Sequence, residues 1–194
     1  MNEATRILRW ARSQMYTGLR PVNLNSYLLL LPTSEYNTAD LLAMKDCSMI
    51  TVYVDGLTEP LNPGGVGAVG FAAYKDDERI YSEGRIIGEG PDMSNNRAEY
   101  EALCEALRWL MAKNLTNEKI LAKSDSRLLV NQMQDKWKIK DGLYLEAYKK
   151  ARCLADQFAD LSFEWISREM NKEADSLTRE AYRGYVSKRH IGHG

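Results

Sequence analysis

Four acidic residues have the types and spacing best suited to chemistry in this chain: Asp55, Glu99, Asp125 and Asp175. Carboxylates that converge without Lys or Arg between them repel one another, so they have raised pKa values or bind cations. Mg²⁺ is the hard cation that prefers oxygen ligands. Two such ions can support an in-line attack of water on a phosphodiester. If the four acids meet, the pattern therefore indicates metal-assisted phosphodiester hydrolysis.

Other catalytic residue types are excluded by their placement. The only histidines are His190 and His193, within the last five residues, which excludes a core Ser-His-Asp or Cys-His catalyst and a His-rich metal site. The three cysteines, Cys47, Cys104 and Cys153, are isolated and show no C-x-x-C zinc spacing. This cysteine usage predicts a reducing, cytoplasmic compartment.

Composition sets the outer limits. The 194 residues are enough for one domain with an appendage, and the 44% apolar and 27% charged content is typical of globular proteins. A formal net charge of -1 excludes a protein that holds nucleic acid by bulk charge, but it allows a local basic face. The start of the chain lacks the apolar region of a signal peptide, and no apolar run is long enough to span a membrane. No membrane contact is therefore expected.

The elements that must position the acids follow the order βββαβααβα. Three strands with short connections predict an antiparallel meander, and the later alternation of strands and helices completes a five-stranded mixed sheet with helices on both faces. The expected class is α/β, a three-layer fold. The predicted strands are 50–54, 66–74, 79–87, 119–123 and 161–166, and the helices are one capped near Ser94 that ends at Asn114, then 128–133, 143–158 and 172–182.

This reading places the four acids at one edge of the sheet. Asp55 and Asp125 are each expected just past a strand, and adjacent strand ends are a favoured place for a site. Glu99 and Asp175 are expected in the first turns of two helices that begin near the same edge. A single Asp after a strand is more often a turn or cap residue. A structural role for all four acids is harder to explain, but periodicity alone leaves both interpretations open.

Five local motifs decide between these readings. Together they resemble the type 1 ribonuclease H family, and more closely its bacterial, archaeal and plant reverse-transcriptase-like branch. They occur in the family's order and cover about residues 49–183. The motifs are Tyr53–Gly56, Asn62–Gly67, Ser94–Leu103, Ser124–Gln132 and Arg168–Leu177.

The resemblance implies a ribonuclease H-like fold and a metal-dependent endonuclease. Members of that family cut the RNA strand of RNA–DNA hybrids and leave 5′-phosphate and 3′-hydroxyl ends. Asp55, Glu99, Asp125 and Asp175 then match the family's catalytic, metal-binding acids, with two Mg²⁺ ions as cofactor and Mn²⁺ as a substitute. Asp55 would bind both ions, Asp175 the ion that activates water, and Glu99 and Asp125 the ion on the leaving side.

The resemblance also implies substrate contacts. Asn95 and Asn96 fall at the family's contact positions, where helix capping is the alternative. Arg168 stands where better-known members carry a His, and Arg127 stands where Gln is common; a solvated Arg and an ion pair with an acid are the respective alternatives. Asn171 is a further candidate substrate contact. The strip Lys136-Trp137-Lys138-Ile139-Lys140 replaces a longer basic handle, and either it grips the backbone or Trp137 and Ile139 pack inward.

Three segments are expected: an N-terminal extension of unknown role at 1–48, the ribonuclease H-like domain at 49–183 and a basic, flexible tail at 184–194. The extension holds Arg6, Arg9 and Arg12 and a predicted short helix Thr38–Lys45. It could bind a partner protein, bind substrate or cover the sheet. The rival functions are a non-catalytic nucleic-acid binding module, a nuclease of broader range that includes double-stranded RNA, and a regulatory partner of another enzyme.

Overall fold

The predicted order of strands and helices is confirmed in residues 48–191, the part of the chain that the computed structural model describes. The strands are β1 (Met49–Glu59), β2 (Val66–Lys75), β3 (Glu78–Glu89), β4 (Lys119–Ser124) and β5 (Asp160–Trp165). The helices are α1 (Asn95–Ala112), α2 (Arg127–Met133), α3 (Leu145–Ala155) and α4 (Lys172–Ile191), with a 3-10 turn at Arg168–Met170 before α4. The predicted helix Thr38–Lys45 lies outside the described residues.

The five strands form one mixed sheet in the order β3-β2-β1-β4-β5. β1, β2 and β3 pair antiparallel, which confirms the predicted meander, and β4 and β5 continue the sheet parallel to β1. The β2–β3 hairpin turns at Asp76 and Asp77, both with positive φ (50° and 68°), as a tight two-residue hairpin requires. The central position of β1 brings its residues next to β4, the strand that precedes Asp125.

Helices cover both faces of the sheet, as predicted. Phe71 of β2 belongs to the main hydrophobic core, together with Leu103 and Leu107 of α1. Its neighbour Gly70 points to the opposite face, where an added Cβ would lie 2.6 Å from the Ala174 carbonyl oxygen of α4. The two long helices therefore lie on opposite faces of the meander, and α3 packs against α1.

The position of Asp55 differs from the expectation, because β1 does not end there. The parallel pairing of β1 with β4 stops at Tyr53, opposite Lys123, while its antiparallel pairing with β2 continues to Glu59. Asp55 thus lies inside a strand, two residues past Tyr53, the last residue of β1 that pairs with β4. The split between β1 and β4 opens the sheet edge beside the Asp55 side chain.

The C-terminal segment also differs from the expectation. The last helix was expected to end at Tyr182, with a flexible tail from 184, but α4 continues through Ile191. Side-chain contacts with β3 hold its final turns. The Tyr185 hydroxyl donates to the Glu89 carboxylate at 3.0 Å, and the Arg189 guanidinium donates to the same group at 2.7 Å.

Two general features complete the described region. Among residues 48–191, no helix is both long and apolar enough to cross a membrane. Cys104, which is buried, and Cys153, which is exposed, are both free thiols. The cytoplasmic location stays a prediction.

Candidate active site

Three of the four predicted acids form a compact carboxylate cluster. Asp55, Glu99 and Asp125 each place one oxygen within 4.8 Å of the others, which is close enough to share a metal ion. Asp55 is only 7% exposed, whereas Glu99 and Asp125 are partly exposed. No described Lys or Arg forms an ion pair with any of the three. The donor set is all oxygen and anionic, which suits a hard divalent cation.

Local packing explains why these three side chains meet. An added Cβ at Gly56 would lie 2.2 Å from the Ala98 carbonyl carbon, so only glycine lets the start of α1 approach β1 this closely. That approach brings Glu99 beside Asp55. Ser94 caps α1 by accepting a hydrogen bond from the Arg97 amide at 3.3 Å. Asp125 enters from β4, the parallel neighbour of β1.

Mutual repulsion shows in the electrostatics of the cluster. Burial, followed by the nearby Asp125 carboxylate, raises the pKa of Asp55 from 3.8 to about 6. Burial and the Asp55 and Asp125 carboxylates raise the pKa of Glu99 well above its ordinary value. Ser124, itself buried, donates to Glu99 at 3.4 Å and opposes that rise only in part. Bound cations relieve this kind of repulsion.

Asp175 lies at the border of the cluster and is held differently. Its Oδ1 accepts from Arg168 at 2.8 Å and its Oδ2 accepts from Arg179 at 2.8 Å. These two guanidinium groups, Arg179 first, lower the pKa of Asp175. The residue is still close enough for its charge to raise the pKa of Asp55. The structure therefore brings Asp175 to the site, but with both oxygens bound to arginines.

Asn171 is buried behind the acids, at 1% exposure. Its Nδ2 donates to the Val54 carbonyl and to Asp125 Oδ1, both at 3.0 Å. Its Oδ1 has no hydrogen-bond partner among the described residues. The side chain therefore ties the loop before α4 to β1 and orients the Asp125 carboxylate from inside the molecule.

The candidate contacts at the start of α1 are exposed, as a substrate contact requires. Asn95 and Asn96 both lie on the surface. Asn95 also has a structural role. Its side-chain Oδ1 accepts a hydrogen bond from the Thr58 backbone amide at 2.7 Å, and its backbone amide donates to Asn62 Oδ1 at 3.0 Å. These bonds fix the β1–β2 loop against α1. The predicted substrate contact of both residues stays a prediction.

The strip at 136–140 is exposed along its whole length, so the inward-packed alternative is wrong. Trp137 is 48% exposed and Ile139 is 36% exposed. Two buried side chains fix the backbone beneath them: Gln132 donates to the Lys138 carbonyl at 3.2 Å, and the Tyr144 hydroxyl donates to the Lys140 carbonyl at 3.0 Å. A held loop thus presents lysines and an indole to solvent.

Arg127 forms no ion pair with a described carboxylate, unlike Arg168, which binds Asp175. Its guanidinium carbon instead lies 4.5 Å from the ring centre of Trp165. Trp165 and Arg179 also lie at the site, although neither was predicted from the sequence. Arg179 lies four residues after Asp175 on one helix, a spacing that predicts an ion pair. No local signal marks Trp165, because its contact with Arg127 depends on how β5 pairs with β4.

Comparison with known proteins agrees with this geometry. The family model described as "Reverse transcriptase-like" matches residues 54–181. A bifunctional protein of Mycobacterium tuberculosis is 36% identical over 120 residues, which are 61% of this chain and 31% of that protein. The ribonuclease HI of Halobacterium salinarum is 34% identical over 133 residues, which are 68% of this chain and 63% of that protein. The chain thus spans about a third of the length of the mycobacterial relative.

A solved structure extends the likeness to three dimensions. LC11-RNase H1 in complex with an RNA/DNA hybrid superimposes with a TM-score of 0.63 at 30% identity. The match covers 71% of this chain and 99% of that one. The family-model match at residues 54–181 includes Asp55, Glu99, Asp125 and Asp175. The chain belongs to the reverse transcriptase-like family of type 1 ribonuclease H proteins.

Proposed function

We propose that this protein hydrolyses the RNA strand of RNA–DNA hybrids internally, leaving 5′-phosphate and 3′-hydroxyl ends. One observation carries the proposal: the cluster of Asp55, Glu99 and Asp125, at the sheet edge of a ribonuclease H fold. The names of the relatives support it, since one is a ribonuclease HI and another is a ribonuclease H1 in complex with a hybrid. A pure binding module gains nothing from clustered carboxylates that repel one another and would also repel phosphate.

Mg²⁺ is the proposed cofactor, as two ions, with Mn²⁺ as a substitute. The residues present fit a hard cation, because Asp55, Glu99 and Asp125 offer only oxygen and carry no neutralising arginine or lysine. Bound cations would supply positive charge to the scissile phosphate and to the attacking water. Asp175 is the proposed fourth ligand, and this role requires its oxygens to give up the Arg168 or Arg179 hydrogen bond.

The chain's own cationic and polar side chains would orient the substrate. Arg168 is largely exposed and reaches into the site through Asp175, so it is placed to bind a phosphate oxygen once Asp175 is engaged elsewhere. Asn95 and Asn96 are proposed to contact the 2′-hydroxyls that distinguish RNA from DNA. Lys136, Trp137 and Lys138 would bind the backbone farther along the duplex. Asn171 acts through Asp125, since its own side chain is buried.

A substrate panel tests this function. The full chain is incubated with end-labelled RNA–DNA hybrid, double-stranded RNA and double-stranded DNA of one sequence, in Mg²⁺, in Mn²⁺ or in EDTA. We expect cuts inside the RNA strand of the hybrid only, dependent on the metal, with products that a ligase needing 5′-phosphate and 3′-hydroxyl ends accepts. Equal cleavage of double-stranded RNA would establish the broader nuclease. Binding without cleavage in every metal would establish the binding module.

A further inference from the structure

An exposed stack of two side chains borders the carboxylate cluster. Arg127 is the first residue of α2 and Trp165 is the last residue of β5. The Arg127 guanidinium lies over the Trp165 ring, 4.5 Å from its centre. The indole Nε1 donates to the Asp125 backbone carbonyl at 3.1 Å. The stack is thus joined by a direct hydrogen bond to the backbone of one of the clustered acids.

The charge of Arg127 stays available to an external anion. Arg168 and Arg179 give their guanidinium groups to Asp175, whereas Arg127 makes no ion pair with a carboxylate in residues 48–191. A cation–π contact with an indole does not use up the N–H donors of a guanidinium, because the attraction is between the charge and the ring face. The planar edge suits a phosphate oxygen pair or the acceptors of a sugar.

Trp165 is placed by the sheet itself. It pairs with Ser124 in the parallel β4–β5 ladder, and the next residue, Ile166, donates its amide to the Ser124 carbonyl at 3.0 Å. Even so, the side chain is 40% exposed. A large ring left partly in solvent, with its N–H already bonded, is a firm platform for a flexible arginine.

We propose that Trp165 is a positioning residue that holds Arg127 on its ring face, so that the stacked pair binds the sugar–phosphate backbone beside Asp125. The identity of the best substrate rests on the proposed function, but the contact itself requires only a nucleic-acid backbone. Trp165 acts through Arg127, and loss of either side chain removes the same contact.

The test is a binding cycle on the full chain, in EDTA so that nothing is cleaved. Fluorescence anisotropy is recorded with labelled hybrid, double-stranded RNA and double-stranded DNA over a range of salt. The variants are Arg127→Ala, Trp165→Leu, their double variant and Trp165→Phe. Lys113→Ala is the matched control, because Lys113 is an exposed cation at the far end of α1 from the acids.

We expect Arg127→Ala to weaken binding about three- to ten-fold and to lower the slope of log Kd against log salt by about 1, as one lost phosphate contact predicts. Trp165→Leu should reproduce most of the loss, and the double variant should bind no worse than Arg127→Ala. Trp165→Phe, which keeps a ring face, should bind close to the unaltered chain. Lys113→Ala should bind like the unaltered chain.

Additive losses in the double variant would overturn the positioning role, and so would full affinity in Arg127→Ala. If Trp165→Leu does not fold, the comparison of Arg127→Ala with Arg127→Lys replaces it. Lysine keeps the charge but not the planar stack, so binding by Arg127→Lys equal to that of the unaltered chain would also overturn the role. Failure to cleave hybrid would refute the proposed function and leave these binding differences in place, so the two failures are distinguishable.

Discussion

Asp55 shows at the scale of one residue how a carboxylate cluster opposes folding. It is 7% exposed and lies beside two other acids, and its pKa is raised to about 6. The difference from the ordinary 3.8 corresponds to roughly 3 kcal/mol that disfavours the ionised form in the folded protein. Without a cation, the cluster therefore destabilises the fold at neutral pH, and a cation that binds the folded state stabilises it by linkage.

Asp55→Asn should stabilise the metal-free protein, because the amide keeps the shape of the side chain and removes its charge. We expect the free energy of unfolding at pH 7.5 in EDTA to rise by about 2 kcal/mol. Urea unfolding followed by circular dichroism measures it. Asp160→Asn is the control, since Asp160 is exposed at the start of β5, and it should change stability little. A less stable Asp55→Asn would contradict the repulsion described for the cluster.

The same shift predicts a pH dependence of stability in EDTA. Because the folded pKa of Asp55 is above its unfolded value, the folded state binds more protons between about pH 4 and 6. The free energy of unfolding should therefore rise by about 1–2 kcal/mol as the pH falls from 7 to 5. Asp175, whose pKa is lowered, stays ionised from pH 7 to 5 and loses its stabilising effect only at lower pH. Unfolding of Asp55→Asn should show a smaller rise, and an equal rise would assign the effect to another group.

Strand pairing and close helix packing position the site at the scale of elements. The sheet order β3-β2-β1-β4-β5 puts β4 next to β1 and so brings Asp125 to Asp55. Gly56 lets α1 approach β1 at the level of Glu99. Asn171 fastens the loop before α4 to the same strand. Asp55 lies in β1, Glu99 in α1 and Asp125 in the turn after β4, so the cluster depends on how these elements pack.

Gly56→Ala should disrupt this packing, because its Cβ would lie 2.2 Å from the backbone of Ala98. We expect a loss of about 2–4 kcal/mol in the free energy of unfolding, together with weaker metal binding. Gly184→Ala is the matched control. Gly184 lies in α4, and an added Cβ would meet nothing within 4 Å beyond its neighbours and the backbone of its own helix, so alanine should stabilise the helix by about 0.5–1 kcal/mol. Thermal unfolding and calorimetric Mg²⁺ titration measure both variants, and an unperturbed Gly56→Ala would show that the approach of α1 is not required.

Local patterns predicted the elements well and the contacts between them poorly. β-branched runs and the Ser94 cap marked the strands and α1, since these signals act over a few residues. The local patterns did not predict that β1 continues past Asp55, because that extension is set by pairing with β2. The final turns of α4 were not predicted either, because they depend on contacts with Glu89. The stack of Arg127 on Trp165 likewise joins residues that lie far apart in sequence.

Near-neutral net charge at the scale of the whole molecule conceals a separation of opposite charges. The formal charge is -1, yet Asp55, Glu99 and Asp125 gather at one site while Lys136, Lys138 and Lys140 project from one exposed loop. Bound cations would convert the acidic site into a place for phosphate, while the exposed lysines favour the backbone elsewhere on the surface. The proposed substrate therefore needs no strongly basic protein.

Removal of residues 1–47 should leave a chain that folds and cleaves hybrid. The strands, helices and carboxylate cluster described above all lie from Met49 onward, and the family match begins at residue 54. We expect the cleavage rate and melting temperature of the shortened chain to stay close to those of the full chain. A large rise in KM with unchanged kcat would instead assign substrate binding to the removed segment, through Arg6, Arg9 and Arg12.

The Asp55, Glu99 and Asp125 cluster is the proposed site of RNA cleavage in a hybrid. The most direct measurement is the single-turnover rate of hybrid cleavage in Mg²⁺ by the unaltered chain and by Asp55→Asn, with Asp160→Asn as the control. We predict that Asp55→Asn loses a factor on the order of 10²–10³ or more while it stays folded, and that Asp160→Asn cleaves normally. Hybrid cleavage that survives undiminished in folded Asp55→Asn would contradict the claim.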